Sequence, residues 1–247
     1  MAIDHSLFQP NNASKRFMKN QYFGDINDYR KYGLLRVLSD GGRNRIAVCW
    51  MLTESDKRSD GNKTGYLLAG KTHRNLDPEL FDALHDSVIR RQRRHIQEVD
   101  SLRIVPSATY YADPASRDPI VRRDWLMRFL ADANGHDIAF FDPDNGIEVK
   151  SSPKVHWRST KHVYWDELMQ TYGAGLSLLV YQHFPRRPHG AFVEEMGRTI
   201  ASRVGASRVH NFRTSDVVFF LVPRIEHQDR LEPLAEAIKI KWSGQIW

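Results

Sequence analysis

The stretch Asp137-Ile138-Ala139-Phe140-Phe141-Asp142-Pro143-Asp144-Asn145-Gly146 decides the architecture. Asp137 to Phe141 reads as a short apolar strand of the kind buried in a covered sheet. It is left abruptly through polar residues: Pro143 stiffens the exit and Asn145-Gly146 turns it. The same grammar recurs on both sides. Ile46 to Leu52 and Leu176 to Tyr181 read as buried strands, and Leu102 to Val105 as a shorter one. Between them lie helical patterns. One follows Asp28 and stops at Asp40-Gly41-Gly42. One runs from Pro78 to about Val99 with Asp77 as its cap. Others cover Pro119 to Ala133, Ala191 to Val204 and Asp229 to Ile240. His162 to Trp165 is a short strand or a helix lead-in. Alternating strands and helices predict a three-layer α/β/α sandwich with a mostly parallel sheet. Ser207 to Phe212 and Val217 to Val222, joined by Arg213-Thr214-Ser215-Asp216, predict a C-terminal antiparallel strand pair. We read 1–247 as a single α/β domain, with residues 1–20 a loose polar arm.

Composition narrows the class. The chain has 247 residues, of which 41% are hydrophobic, enough for a core and too many for a disordered chain. The longest apolar runs, 176–181 and 217–222, fall far short of the roughly 18 residues a membrane span needs. The single cysteine, Cys49, allows no internal disulfide and no cysteine-rich metal cluster. A reducing, cytoplasmic setting is therefore expected. Thirty-six Lys and Arg against 30 Asp and Glu give a net charge of +6, which suits a polyanionic partner. Arg90, Arg91, Arg93 and Arg94 crowd into five positions. They read either as a solvated helix face or, as we favour, as phosphate contacts.

Three segments carry candidate chemistry. Asp142, Asp144 and Asn145 leave one strand end together. Paired carboxylates at a dry strand end perturb each other's titration. The same residues also suit a turn that caps its own backbone. Tyr181-Gln182-His183-Phe184-Pro185-Arg186 places His183 just past another strand end, as proton donor or anion holder, with Gln182 and Arg186 beside it. If the two strands are neighbours, Asp142 and His183 face one cleft. Finally, residues 20–33 concentrate Tyr22, Phe23, Asp25, Tyr29 and Lys31, the material of a stacking lid with a cation or of a capped helix start. Asp56 to Gly61, with Lys63 and Tyr66, reads as a loop at the cleft mouth. Neither phosphate-binding Gly-rich loop, zinc spacing nor a Gly-x-Ser-x-Gly elbow is present. Pro143-Asp144 with Glu148 and Lys150 spells a nuclease-like P-D…E-x-K, but only three residues separate its halves.

Two resemblances follow from these residues. Asp142-Pro143-Asp144-Asn145 looks like the [D/N]-P-P-[Y/F] motif of amino-methyltransferases that modify adenine. Residues 24–32 are similar to the start of a family of rRNA adenine methyltransferases, and the terminal strand pair fits that fold. The loop Leu52-Thr53-Glu54-Ser55-Asp56-Lys57 lacks the glycine of an S-adenosylmethionine site, and the motif's second proline and aromatic are missing. Asp142-Pro143 and His183-Phe184-Pro185 resemble the strand-end acid and the His loop of the uracil-DNA glycosylase superfamily. That resemblance implies a phage-defence DNA glycosylase that excises a modified base. Asp142, Asp144 and His183 would be catalytic. Tyr22, Phe23, Asp25, Tyr29, Lys31, Asn145, Gln182 and Arg186 would hold substrate, and Arg90, Arg91, Arg93 and Arg94 would hold DNA phosphates. No cofactor or metal is expected, the partner is duplex DNA, and neither membrane nor obligate protein partner is implied. The alternatives are a methyltransferase-like enzyme on RNA or DNA, a metal nuclease, and a non-enzymatic nucleic-acid-binding module.

Overall fold

The computed structural model describes residues 20–53 and 61–247. The expected arm, apart from Asn20, and the Asp56–Asp60 part of the expected loop lie outside the described residues. The strands are β1 (Ile46–Cys49), β2 (Ala108–Tyr111), β3 (Ile138–Phe141), β4 (Gly146–Ile147), β5 (His162–Val163), β6 (Ser177–His183), β7 (His210–Arg213) and β8 (Val217–Val222). The helices are α1 (Ile26–Ser39), α2 (Lys71–Arg74), α3 (Pro78–His85), α4 (Glu98–Ser101), α5 (Pro119–Asp132), α6 (Trp165–Gly173), α7 (His189–Val204) and α8 (Gln228–Lys241).

The protein is an α/β sandwich built on a six-stranded sheet of order β2-β1-β3-β6-β8-β7. β2, β1, β3 and β6 run parallel, and β8 pairs antiparallel with both β6 and β7. Side chains alternate across a strand, so each strand feeds two cores. Ile46, Val48, Ile138, Phe140, Phe219 and Leu221 pack under α1, α3 and α8. Ala47, Cys49, Ala139, Phe141, Val218 and Phe220 pack under α5, α6 and α7. Burial on both faces explains why these strands are apolar throughout. Among the described residues, no helix is long and apolar enough to cross a membrane.

The helix starts follow local chemistry. Asp25, Asp77 and Asp118 accept backbone N–H bonds at the first turns of α1, α3 and α5, each filling an otherwise orphaned donor position. α1 packs on α8 through Gly33. A Cβ there would lie 1.9 Å from Cζ2 of Trp242, whose indole is fully buried. Gly33→Ala should therefore lower the thermal midpoint, although alanine gains roughly 1 kcal/mol of helix propensity. Overpacking of about 1–3 kcal/mol outweighs that gain. A melting curve of the variant checks it.

Two expectations are corrected. The helix from Pro78 stops as α at His85, continues as one π turn (Asp86–Arg90) and unwinds at Gln92, where φ is +51°. Leu102 to Val105 is not a strand: Arg103 and Ser107 both adopt positive φ, and the edge strand is β2, just beyond. Residues 162–165 supply both β5 and the start of α6.

Candidate active site

β1 lies between β2 and β3, so the chain leaves β1 in one direction and returns on its other side. That reversal opens a crevice beyond the carboxyl ends of the strands. A cavity of about 710 Å³ lies there. β1 sends Trp50 and Thr53 to it, β3 sends Asp142 to Asn145, and β6 sends Tyr181 and His183. β3 and β6 are direct neighbours, Phe141 opposite Val180, so Asp142 and His183 line one cavity. The turn between β7 and β8 contributes Asp216 to the same end.

The floor is built by the first turns of α1. Lys31 Nζ donates to Asp142 Oδ2 at 2.7 Å and to Asp28 Oδ1 at 3.1 Å. Tyr32 donates to the other oxygen of Asp28 at 2.9 Å. Positions 31 and 32 follow position 28 by three and four residues, about one turn, so both side chains reach Asp28, which is why a helix start delivers this array. The Lys31 ammonium also sits 5.7 Å from the Trp50 ring centre and 5.5 Å from that of Tyr181, a cation–π arrangement. Lys31, expected to meet substrate, lines the cavity and also holds Asp142. Burial alone would lower its pKa, and the carboxylates of Asp142 and Asp28 more than reverse that.

Asp144 Oδ2 accepts from Thr53 Oγ1 at 2.6 Å and faces Lys161 Nζ at 3.3 Å. Behind it, the Gln182 side chain locks the turn: Oε1 accepts from Ile147 N at 2.8 Å, and Nε2 donates to the carbonyl of His183 at 2.7 Å. Gly146 makes this approach feasible, with φ of +108° and space for no Cβ, which would sit 2.4 Å from Gln182 Oε1. Gln182 thus supports the site from behind. His183 stands exposed at the mouth, its Nε2 3.1 Å from the Tyr181 hydroxyl.

Other expected residues lie elsewhere. Tyr29 is fully buried among Tyr66, Phe81 and Trp242, its hydroxyl bonded to the carbonyl of His73, and it does not line the cavity. Arg186 is exposed and outside the lining. Arg90 and Arg91 both pair with Asp86, at 3.3 and 2.8 Å; part of their mutual repulsion is relieved within the chain. Arg94 is bound to the carbonyls of Phe23 and Gly61 and to Asn62 Oδ1, holding the cavity rim together. Arg93 is exposed. Glu148 accepts from Trp165 N at the start of α6, away from Asp144, so the P-D…E-x-K residues do not converge. Tyr22, Phe23, Asp25 and Asn145 do line the cavity.

Among the described residues, the lining carries five carboxylates (Asp25, Asp28, Asp142, Asp144, Asp216) against three lysines (Lys31, Lys63, Lys161). Burial raises Asp142 to about 6 despite the opposing pull of Lys31, and burial with the Asp28 charge raises Asp25 to about 6. A raised carboxyl binds its proton more tightly folded than unfolded, so it costs stability as the pH climbs from about 4 to about 6. Asp25→Asn keeps the cap acceptor and removes that charge. The variant should be more stable than wild type by about 1–3 kcal/mol above pH 7, with no gain at pH 4. Urea titrations at the two pH values measure it.

No protein-family model and no curated protein matches the chain. The site therefore rests on its own geometry. No local sequence signal marks Trp50, Tyr181, Asp28 and Lys161, which line the cavity as well. Trp50 and Tyr181 fall inside segments that read as buried strands; Trp50 directly follows β1 and Tyr181 lies two residues before the end of β6, both at the carboxyl end of the sheet.

Proposed function

We propose that this protein is a cofactor-independent N-glycosidase that releases a base from a nucleotide turned out of DNA. The observation that carries this reading is Asp142, buried at a strand end in a cavity with aromatic walls and more carboxylates than cations. Such a site favours a ligand that develops positive charge. In glycosidic hydrolysis the C1′–N bond breaks with its electron pair leaving on the base, and the sugar becomes cationic. Water then bonds to C1′ and gives up a proton, and the base takes one up. Asp142, held by Lys31, faces the sugar cation, while Asp144, held by Thr53 and Lys161, orients water. His183 at the mouth supplies a hydrogen bond or proton to the departing base. Tyr22, partly exposed in the lining, offers a ring face for an extruded base, while Phe23 and Trp50 are buried in the cavity wall.

The test uses purified protein without metal or cofactor, incubated with unmodified DNA and with heavily modified phage DNA. Free bases detected by mass spectrometry, with strand breaks only after alkali, support the reading. Magnesium-dependent direct breaks, or no release from either DNA, overturn it.

One observation favours a second reading, a methyltransferase-like enzyme: β8 lies reversed between β6 and β7, and Asp142-Pro143-Asp144-Asn145 closes β3. The S-adenosylmethionine site fits poorly, however. The turn after β1 takes its positive φ at Met51 instead of a glycine, and Trp50 lies stacked on Tyr110, 5.7 Å apart and 6° from parallel, at the ends of β1 and β2. Calorimetry with S-adenosylmethionine decides: tight binding establishes this alternative and displaces the first.

A further inference from the structure

β4 and β5 form a small parallel ribbon apart from the main sheet. The chain between them, 148–161, folds over a second cavity of about 420 Å³. Asn145 lines this cavity as well as the first, and Lys161 on the first is followed directly by His162 on the second. The two cavities are thus adjacent compartments with one shared wall.

The second cavity is equipped for a flat ring carrying an anion. Trp157 lines it and is 59% exposed, although a tryptophan gains more than most side chains from burial. The Arg158 guanidinium lies 4.4 Å from the indole centre, and the His156 ring is 5.7 Å away. Ser152, 2% exposed, lines the same cavity with a hydroxyl that has no hydrogen-bond partner. Buried polar atoms are rarely left so. His162 Nε2 faces Asn145 Nδ2 at 3.3 Å, which ties the shared wall in place.

We propose that this cavity is a stacking subsite for the nucleotide next in the strand to the one held over Asp142. The inference rests on the nucleic-acid reading above and extends it: the substrate is a strand, engaged through two successive unpaired residues, not a free nucleoside. The indole and guanidinium planes take the base, Ser152 meets its polar edge, and Arg158 and Lys161 flank the phosphate between the two residues. Stacking of this kind tolerates any base and contributes about 1–3 kcal/mol.

The test compares binding of a fluorescent thymidylate pentanucleotide and of thymidine monophosphate at low salt, for wild type, Trp157→Ala and Trp157→Phe. Trp157→Ala should weaken pentanucleotide binding about tenfold, Trp157→Phe should recover most of it, and mononucleotide binding should stay unchanged. Melting curves should coincide, because the indole is outside the core. Pentanucleotide binding that is absent in wild type or indifferent to Trp157 overturns the proposal, as does equal loss for both probes. Base release is assayed separately. Trp157-dependent strand binding without base release removes the glycosidase and keeps the subsite; release with binding indifferent to Trp157 does the opposite.

Discussion

Asp142→Asn should lower the rate of base release by about 10³-fold while the protein stays folded. Asparagine matches the shape of aspartate, so packing at the end of β3 is kept. What is lost is the charge opposite the developing sugar cation, and removing one such electrostatic partner typically costs a factor of about 10²–10³. The upper end is expected because the group is buried: its side chain is 14% exposed, so water screens it weakly. Lys31 loses one of its two carboxylate partners but keeps Asp28 at 3.1 Å. Single-turnover release from the active DNA, with a melting curve beside it, measures the effect. A variant that retains a tenth or more of the activity would remove Asp142 from the chemistry.

The largest effect on stability is expected at Arg122. Its guanidinium is buried, forms a two-toothed pair with Glu167, and donates to the carbonyls of Ser159 at 3.0 Å and His162 at 2.7 Å. The rings of Trp125 and Tyr164 cover it, at 5.6 and 4.7 Å. Glu167 in turn accepts from Tyr164 N at 2.9 Å. Arg122→Ala leaves a buried carboxylate and two carbonyls without their donor, which should cost about 3–5 kcal/mol. Arg122→Met with Glu167→Gln should cost less, because no unpaired charge is left behind. Urea midpoints for the two variants test the order. The first variant should also weaken strand binding, since the lost bonds fix residues 159–162 between the two cavities.

The sequence carries most of the architecture because the central strands are continuous apolar runs. β3, β6 and β8 are recognisable from composition, and Asp77 marks the start of α3; α1 begins at Ile26 with Asp25 as its cap, earlier than the start expected after Asp28. β2 is hidden because Ala108-Thr109-Tyr110-Tyr111 lies half-exposed at the sheet edge, where no apolar run is required. The site divides similarly. Asp142, Asp144 and His183 stand just beyond readable strands, and the neighbouring of β3 and β6 puts them around one cavity. Tyr29 misleads because spacing alone does not say which face of α1 meets the core. The arginine cluster is partly neutralised within the chain: Arg90 pairs with Asp86 at ordinary i,i+4 spacing, and Arg91 reaches the same carboxylate one residue further on, past the π turn. The contact between Lys31 and Asp142 spans 111 positions in the chain and leaves no local signal.

The reversed strand β8 has one more consequence. Because it runs against β7, the link from β7 to β8 is a tight turn at the cavity mouth, closed by Thr214 and Val217 and carrying Asp216. A parallel neighbour would need a long crossover on the outside of the sheet. A hairpin tip accepts added residues at little entropic cost. The opening over the cavity can therefore be reshaped in evolution, or by grafting, through one short peptide link, with every strand of the sheet kept in register.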